Sequence, residues 1–375
     1  MRKILFVVSS LDVGGIETYL LKFLSYAGPA VEATVLCKSG RGGVLAEDYQ
    51  SVGAKLVFLK VGTSLSPRYI NLYRILRENK WDVICDFTGD FSGLVLLTAR
   101  LVGVKARLAF YRGSQYQFRP TFLKLAFARF LSSLVRINST KILSNSQVAL
   151  DRFHPGWRSE KSRYEIIRNP APTAPPLKKE MRKSLRGLIG VPEDAIVVAH
   201  VGRVTPAKNH ELIVSVARVI LERNSNVWFV LIGLGCGEYS SARIPQHLIP
   251  RLKTFEHRSD IVLFLQASDV FLFPSLNEGM PNALIEAMAA GCSVVASDIP
   301  AIREVFPPSR EAYLIAPNDV EGAVDRIERL IENPDKAYEA DLMSWVQTQF
   351  AVEATFGRFL SELGEVNRDT GNFIL

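Results

Sequence analysis

Short β-branched or apolar runs separated by helix-length amphipathic stretches recur along this chain, stop at a proline-rich run, and then recur again. In the first half the runs at 3–9, 32–37, 56–59, 82–87, 107–111 and 141–145 are predicted strands. Strands separated by helices long enough to cross over pair in parallel, through right-handed connections that cover both faces of the sheet. Residues 1–169 therefore read as one doubly wound domain. Pro170-Ala-Pro-Thr-Ala-Pro-Pro176 biases the backbone to extended geometry that neither a helix nor a central strand accepts, so 170–177 reads as a linker. The runs at 195–201, 227–232, 270–273, 293–296 and 312–315 then predict a second doubly wound domain over 178–345. From Asp335 to Asn367 the period is helical with no strand, which makes 346–375 a helical tail expected to return to the first domain. The fold class is α/β, with two Rossmann-like sheets expected to face each other across a cleft. In such sheets ligands bind beyond the carboxyl ends of the strands, so the loops that follow strands hold the candidate sites.

Composition removes several alternatives. A length of 375 residues suits two domains, and 48% apolar with 22% charged residues excludes disorder. The longest apolar stretch, Leu94 to Val104, is short and carries Arg100, so no segment suits a bilayer span. Residues 1–8 have too brief an apolar run for a signal peptide and read as the first strand. Cys37, Cys85, Cys236 and Cys292 lie far apart with no Cys-x-x-Cys pair, which argues against a disulfide framework or a zinc site and fits a reducing cytoplasm. The net charge of +7 is unevenly placed: residues 1–170 hold 25 basic and 12 acidic side chains, and the remainder is acidic on balance. From Phe91 to Leu150 there are nine basic residues and no acidic one, so an anionic partner is expected on the first half.

The most informative segment runs from Phe271 to Gly291. A strand ends at Pro274, Gly279 allows a tight turn, Pro281 suits the first helical position and Gly291 the C-terminal cap, predicting a helix from Pro281 to Ala290. Its free N-terminal N–H groups suit a phosphate. Asn282 and Glu286 share a helix face, and Glu278 stands eight residues before Glu286, roughly 12 Å of helical rise. That is about the length of a ribose-diphosphate-sugar unit, and each carboxylate accepts hydrogen bonds from a vicinal diol. A second constellation, His200-Val-Gly-Arg203-Val-Thr-Pro-Ala-Lys208-Asn-His210, also follows a strand. Arg203 supplies a planar fork for phosphate oxygens and Lys208 a compact positive charge. It is not a Walker loop. Gly14 and Gly15, after the first strand, let backbone N–H groups approach a ligand. Gly233-Leu-Gly235-Cys-Gly237 falls one residue short of a dinucleotide fingerprint and reads as a loop near a donor base.

Together, Glu278-x7-Glu286 with Met280, Pro281 and Gly291, Gly202-Arg203-x4-Lys208-Asn209 and Gly14-Gly15-Ile16-Glu17 resemble glycosyltransferase family 4, the retaining enzymes of GT-B fold that build bacterial polysaccharide and lipopolysaccharide. The resemblance implies that Arg203 and Lys208 bind the donor diphosphate, Glu286 the ribose and Glu278 the transferred sugar. It also implies donor contacts from Gly14, Gly15, Gly279, Met280, Pro281 and Asn282, and no metal or other cofactor; no Asp-x-Asp motif occurs. Many members carry a sugar-facing histidine in the first domain, whereas here no histidine precedes His154. Asp86, Asp90, Arg112 and Ser114, in loops after strands, are the acceptor-side candidates in its place. His154, beside Pro155, reads as a surface residue.

The expected reaction moves a hexosyl unit from a UDP- or GDP-linked sugar to a glycan or polyprenyl-diphosphate-linked acceptor. Glu278, Arg203 and Lys208 are the catalytic candidates, in a cytoplasmic protein that is peripheral at the membrane. The helix from Thr121 to Ile137, apolar with Lys124, Arg129 and Arg136, reads either as lying on an anionic leaflet or as a core helix with snorkelling cations. A sugar-nucleotide epimerase would share the diphosphate site without an acceptor. A nucleic-acid binder would use the basic half, but no nucleic-acid motif accompanies it, so no nucleic acid is expected as a partner.

Overall fold

The structure, a computed structural model, describes residues 2–61, 67–113, 121–172, 177–256 and 258–365; of Leu123 and Glu365 only the backbone is described. Two compact units result: the chain up to Asn169 together with the segment from Glu353, and Pro170–Val352.

The first unit is a seven-stranded sheet of β1 (Arg2–Val8), β2 (Val31–Cys37), β3 (Lys55–Phe58), β4 (Val83–Asp86), β5 (Ala106–Tyr111), β6 (Lys141–Ser144) and β7 (Tyr164–Ile166). All neighbours are parallel, in the order β3-β2-β1-β4-β5-β6-β7. The second is β8 (Ile196–Val201), β9 (Val227–Ile232), β10 (Leu252–Phe255), β11 (Val270–Phe273) and β12 (Ser293–Ala296), also parallel, ordered β10-β9-β8-β11-β12. Strand order reverses beside β1 in one sheet and beside β8 in the other, which is where open α/β sheets bind ligands. Helices on both faces explain the continuous apolar strands: Ile4 to Val8 have no exposed surface, each side chain contributing about 1.5–3 kcal/mol by burial.

Several expected boundaries are corrected. The predicted strand at 312–315 is a 3₁₀ turn, Pro308–Tyr313, and Ile315 makes only an isolated parallel bridge to Ser297. Pro308 takes the first position of that turn, where a missing N–H costs nothing. The edge strands β7 and β10 were not anticipated, being too short for a legible pattern. The tail expected over 346–375 is two helices divided between the units. Helix Lys336–Gln349 stays with the second, burying Tyr338, Leu342 and Val346, with the Tyr338 hydroxyl donating to the Val294 carbonyl at 2.9 Å and the Trp345 indole to that of Val305 at 2.8 Å. Helix Val352–Glu365 joins the first unit through buried Phe356, Phe359 and Leu363. The Phe359 ring lies 4.4 Å from Phe23 and 5.2 Å from Phe110, and ion pairs Lys141–Glu362 and Arg358–Glu165 flank it. The linker residues 173–176 lie outside the described residues.

Candidate functional site

In the second unit the loops after β8, β9 and β11 are tied together at the carboxyl edge of the sheet. Gly202 N–H donates to the Ile232 carbonyl at 2.8 Å, Val204 N–H to that of Leu234 at 3.0 Å, and Leu276 N–H to that of Ala207 at 2.8 Å. The first two loops approach so closely that a Cβ on Gly233, whose φ is +152°, would lie 2.2 Å from the Gly202 oxygen. The glycine run read as a loop near a donor base thus holds the Arg203 loop.

From that platform Lys208, in the short turn Pro206–Lys208, donates from Nζ to Glu278 Oε1 at 2.6 Å. The same ammonium lies 4.7 Å from the Phe273 ring centroid, a cation–π contact at the end of β11. Arg203 is exposed and has no hydrogen-bond or ion-pair partner among the described residues. Lys208 and Glu278, 70 apart in sequence, thus meet as an ammonium and a carboxylate, and Arg203 stands exposed on the same loop as Lys208.

Gly279 and Met280 form the bend that leads to helix Asn282–Ala289. The helix begins one residue later than expected: Pro281 has ψ of 73° and is the N-cap, not the first helical residue. Its side chain is buried and no side chain caps the helix. Two of the first N–H groups are engaged locally, Asn282 with the Met280 carbonyl at 3.0 Å and Leu284 with that of Pro281 at 3.1 Å. Asn282 is exposed and Glu286, one turn on, half-buried, while Leu284, Ile285, Ala287 and Met288 enter the core. Gly291 follows with φ of +84°, the left-handed position after a helix C-terminus.

A buried layer that the motif reading gave no role supports the cations. His200, at the end of β8, shares 2.9 Å with the Leu272 carbonyl through Nδ1, which therefore carries the proton. Its ring centre is 5.0 Å from that of His210, whose Nε2 lies 3.5 Å from Cys236 Sγ. Burial, reinforced by His210 and Lys208, pushes the His200 imidazole down to about 3, and burial lowers His210 as well. Both rings are neutral beneath the loop. Two histidines bracketing Gly202 and Lys208 are visible in the sequence; their burial is not.

The first unit carries a pocket of about 350 Å³ lined by loops that follow β1, β2, β4 and β5 and by the inner face of helix Phe122–Asn138. Asp90 and Arg112 line it. Tyr111 donates its hydroxyl to Asp90 Oδ1 at 2.9 Å, and burial pushes the Asp90 carboxyl up to about 6. The Arg112 guanidinium carbon stacks 3.4 Å from the Tyr19 ring centre, its Nε and Nη1 have no partner among the described residues, and burial lowers it to about 10.

Asp86 does not face that pocket, a correction to its expected place. It is fully buried, and its Oδ1 accepts from the Thr88 N–H at 2.7 Å and the Thr88 hydroxyl at 2.6 Å. Lys38, missed in the sequence though it directly follows the apolar run of β2, donates to the Thr88 hydroxyl at 3.1 Å and the Phe91 carbonyl at 2.8 Å. Burial raises Asp86, and Lys38 with Thr88 opposes the shift. Ser114 lies outside the described residues. His154, expected at the surface, is buried with its ring 4.8 Å from Tyr111, and burial pushes it down to about 4. Gly14, with φ of −152°, precedes helix Gly15–Ala27; a Cβ on Gly14 would meet the Glu17 side chain first, with the Asp12 carbonyl at 4.0 Å, and one on Gly15 nothing within 4 Å.

Among the described residues no group of three or more His, Cys, Asp or Glu side chains could hold a metal ion, and no helix is long and apolar enough to cross a membrane.

Comparison with known proteins follows this geometry. Residues 181–341, which hold both motif loops of the second unit, match the family model for glycosyl transferases group 1. The chain is 26% identical over 314 residues to the putative glycosyltransferase EpsF of Bacillus subtilis, covering 79% of each chain. It is 25% identical to the UDP-Gal:alpha-D-GlcNAc-diphosphoundecaprenol alpha-1,3-galactosyltransferase of Escherichia coli over 277 residues, 70% of each. Among solved structures, Anabaena HepE in complex with UDP and glucose superposes with a TM-score of 0.76 at 20% identity, over 97% of this chain and all of the other. A Rickettsia africae glycosyltransferase gives 0.81 at 16% identity, over 98% and 99%. Residues 181–341 are thus similar to group 1 glycosyl transferases, and the chain has the GT-B fold.

Proposed function

We propose that the protein is a retaining hexosyltransferase that uses a nucleoside diphosphate sugar, UDP- or GDP-linked, and a glycan or polyprenyl-diphosphate-linked acceptor in cell-surface polysaccharide biosynthesis at the cytoplasmic face of the membrane. The observation that carries the reading is the Lys208–Glu278 pair, with Arg203 exposed on the Lys208 loop, on loops held at the carboxyl edge of the second sheet. Arg203 and Lys208 bind the diphosphate and stabilise the charge that develops as it leaves. Two cations in that place supply what a divalent metal would, so turnover is proposed to be metal-independent. Glu278 accepts from hydroxyls of the transferred sugar and aligns Lys208; Glu286 accepts from the ribose diol. The backbone of Gly279 to Asn282 lies along the donor.

The acceptor hydroxyl attacks the anomeric carbon on the face the diphosphate leaves. The new carbon–oxygen bond forms as the old one breaks, and the departing phosphate oxygen takes the acceptor's proton, so the configuration is retained. A double displacement would need a carboxylate nucleophile about 5 Å from an acid; Glu278 is instead paired with Lys208. In the first unit, Asp90 and Arg112 address the acceptor from the pocket wall, and Asp86 positions the Thr88 turn that forms its rim. Support for the substrate classes comes from the relatives' names, two of which state capsular polysaccharide biosynthesis and a diphosphoundecaprenol acceptor.

The test is a thermal-shift series of nucleoside diphosphates, followed by transfer from the sugar donor of the base that binds and by assignment of the product anomer by NMR. Saturation at a hundredfold excess over Kd adds about 2.7 kcal/mol of stability. No shift with any nucleoside diphosphate refutes the donor reading, and an inverted product refutes the front-face step.

A further inference from the structure

Helix Phe122–Asn138 has one face in the core, through Ala128, Leu131 and Val135. Its opposite face is also apolar. At 100° per residue Phe122, Ala126, Phe130, Ser133 and Ile137 fall within a roughly 80° arc, and Arg129 and Arg136 run along one edge of that arc. Phe122 is 85%, Phe130 53% and Ile137 61% exposed, and Ala126, Arg129, Ser133 and Arg136 are exposed too. Arg100, from the neighbouring helix Gly93–Leu101, adds a further cation by donating to the Ile137 carbonyl at 3.4 Å. No acidic residue occurs from Phe91 to Leu150, so the helix itself places no anion on this face.

The helix is a core helix whose second apolar stripe has no cover among the described residues. Large aromatic side chains interleaved with unpaired cations, without counter-charges, are what an interfacial helix presents to acidic headgroups. A single helix of this length cannot span the bilayer among those cations.

We propose that the outer face of helix Phe122–Asn138 docks on an anionic lipid bilayer, Phe122, Phe130 and Ile137 entering the headgroup boundary and Arg100, Arg129 and Arg136 meeting lipid phosphates. This rests on the reading of a lipid-linked acceptor, because Phe127, Ala128 and Leu131 of the same helix line the pocket on the first unit. Docking brings that pocket to the surface where such an acceptor is anchored.

The test is co-sedimentation of the full chain with vesicles of phosphatidylcholine alone and of phosphatidylcholine with phosphatidylglycerol, at low and high salt. Wild type is expected to pellet only with the anionic vesicles and to be released by salt. Arg129→Gln with Arg136→Gln should lower partitioning about thirtyfold, from about fivefold for each cation. Phe122→Ser with Phe130→Ser and Ile137→Ser should abolish it. The nucleoside diphosphate thermal shift should be unchanged in both variants, which shows that they fold and keeps the donor reading separate. Indifference of wild type to anionic lipid, or variants that bind as wild type does, overturns the proposal even where the nucleotide shift is intact. Dispersal of a wild-type dimer by the serine variant, with no vesicle binding, also overturns it and assigns the face to a second copy of this chain.

Discussion

Lys208 Nζ and Glu278 Oε1 lie 2.6 Å apart, joining the loop after β8 to the loop after β11. The pair holds the ammonium without engaging Arg203, which has no partner among the described residues. Glu278→Gln and Lys208→Met should each lower kcat/KM for the donor roughly tenfold to a hundredfold, the range expected for losing one hydrogen bond to a charged group. Because each group positions the other, the double variant should fall short of the product of the two losses by about 0.5–3 kcal/mol of coupling. Strict additivity in a double-mutant cycle counts against a shared role.

Two glycines separate fold from ligand. Gly233→Ala places a methyl 2.2 Å from the Gly202 oxygen in a left-handed backbone and should destabilise the chain by a few kcal/mol, within the usual range of about 1–3 for such strain. Gly15→Ala meets nothing within 4 Å at the start of a helix. Its unfolding midpoint should match or slightly exceed wild type, as alanine favours helix by up to about 1 kcal/mol. Any loss of donor affinity in that variant then reports a ligand that needs the bare backbone. Unchanged nucleotide affinity removes Gly15 from the donor site.

The buried histidines predict acid lability. His200 and His154 sit well below the ordinary value of 6.5, at about 3 and about 4, so the unfolded chain binds protons that the folded chain refuses. The histidines' contribution to stability is complete above about pH 6.5 and falls below it, approaching about 1.4 kcal/mol per pH unit for each. His200→Asn keeps a donor for the Leu272 carbonyl and removes the titration. Urea unfolding between pH 7 and pH 5 should show a slope lower by nearly one proton in that variant; an identical slope rejects the assignment.

Asp90 acts in the opposite sense. Its carboxyl, raised to about 6, makes the folded state hold the extra proton, so this group's contribution declines as pH rises from about 4 to about 6. Asp90→Asn, which can still accept from Tyr111, should unfold later than wild type at pH 7, with the difference gone by pH 4. In catalysis the same variant should raise the acceptor KM and leave nucleoside diphosphate affinity alone. A change confined to the donor side would take Asp90 out of the acceptor pocket.

If Arg203 and Lys208 neutralise the diphosphate as proposed, turnover should survive chelation. Steady-state rates after EDTA treatment, with and without added Mg²⁺, measure this directly; a lost rate that Mg²⁺ restores rejects the metal-independent step.

Alternation of apolar runs with helical periods, and the prolines between the two sets, determined by themselves that this chain builds two parallel sheets with loops at their carboxyl edges. Gly202-Arg203-x4-Lys208 and Glu278-x7-Glu286 could be read because strand, turn and helix signals place those side chains locally. What only the tertiary structure decided depends on contacts between distant segments. It paired Lys208 with Glu278, set Gly233 against Gly202, withdrew Asp86 behind Thr88 and Lys38, buried His154 and His200, and sent the last helix back to Phe23 and Phe110. Burial and close approach are properties of what lies opposite a residue. A period of 2 or 3.6 reports the face a side chain occupies, and the neighbour on that face comes from another part of the chain.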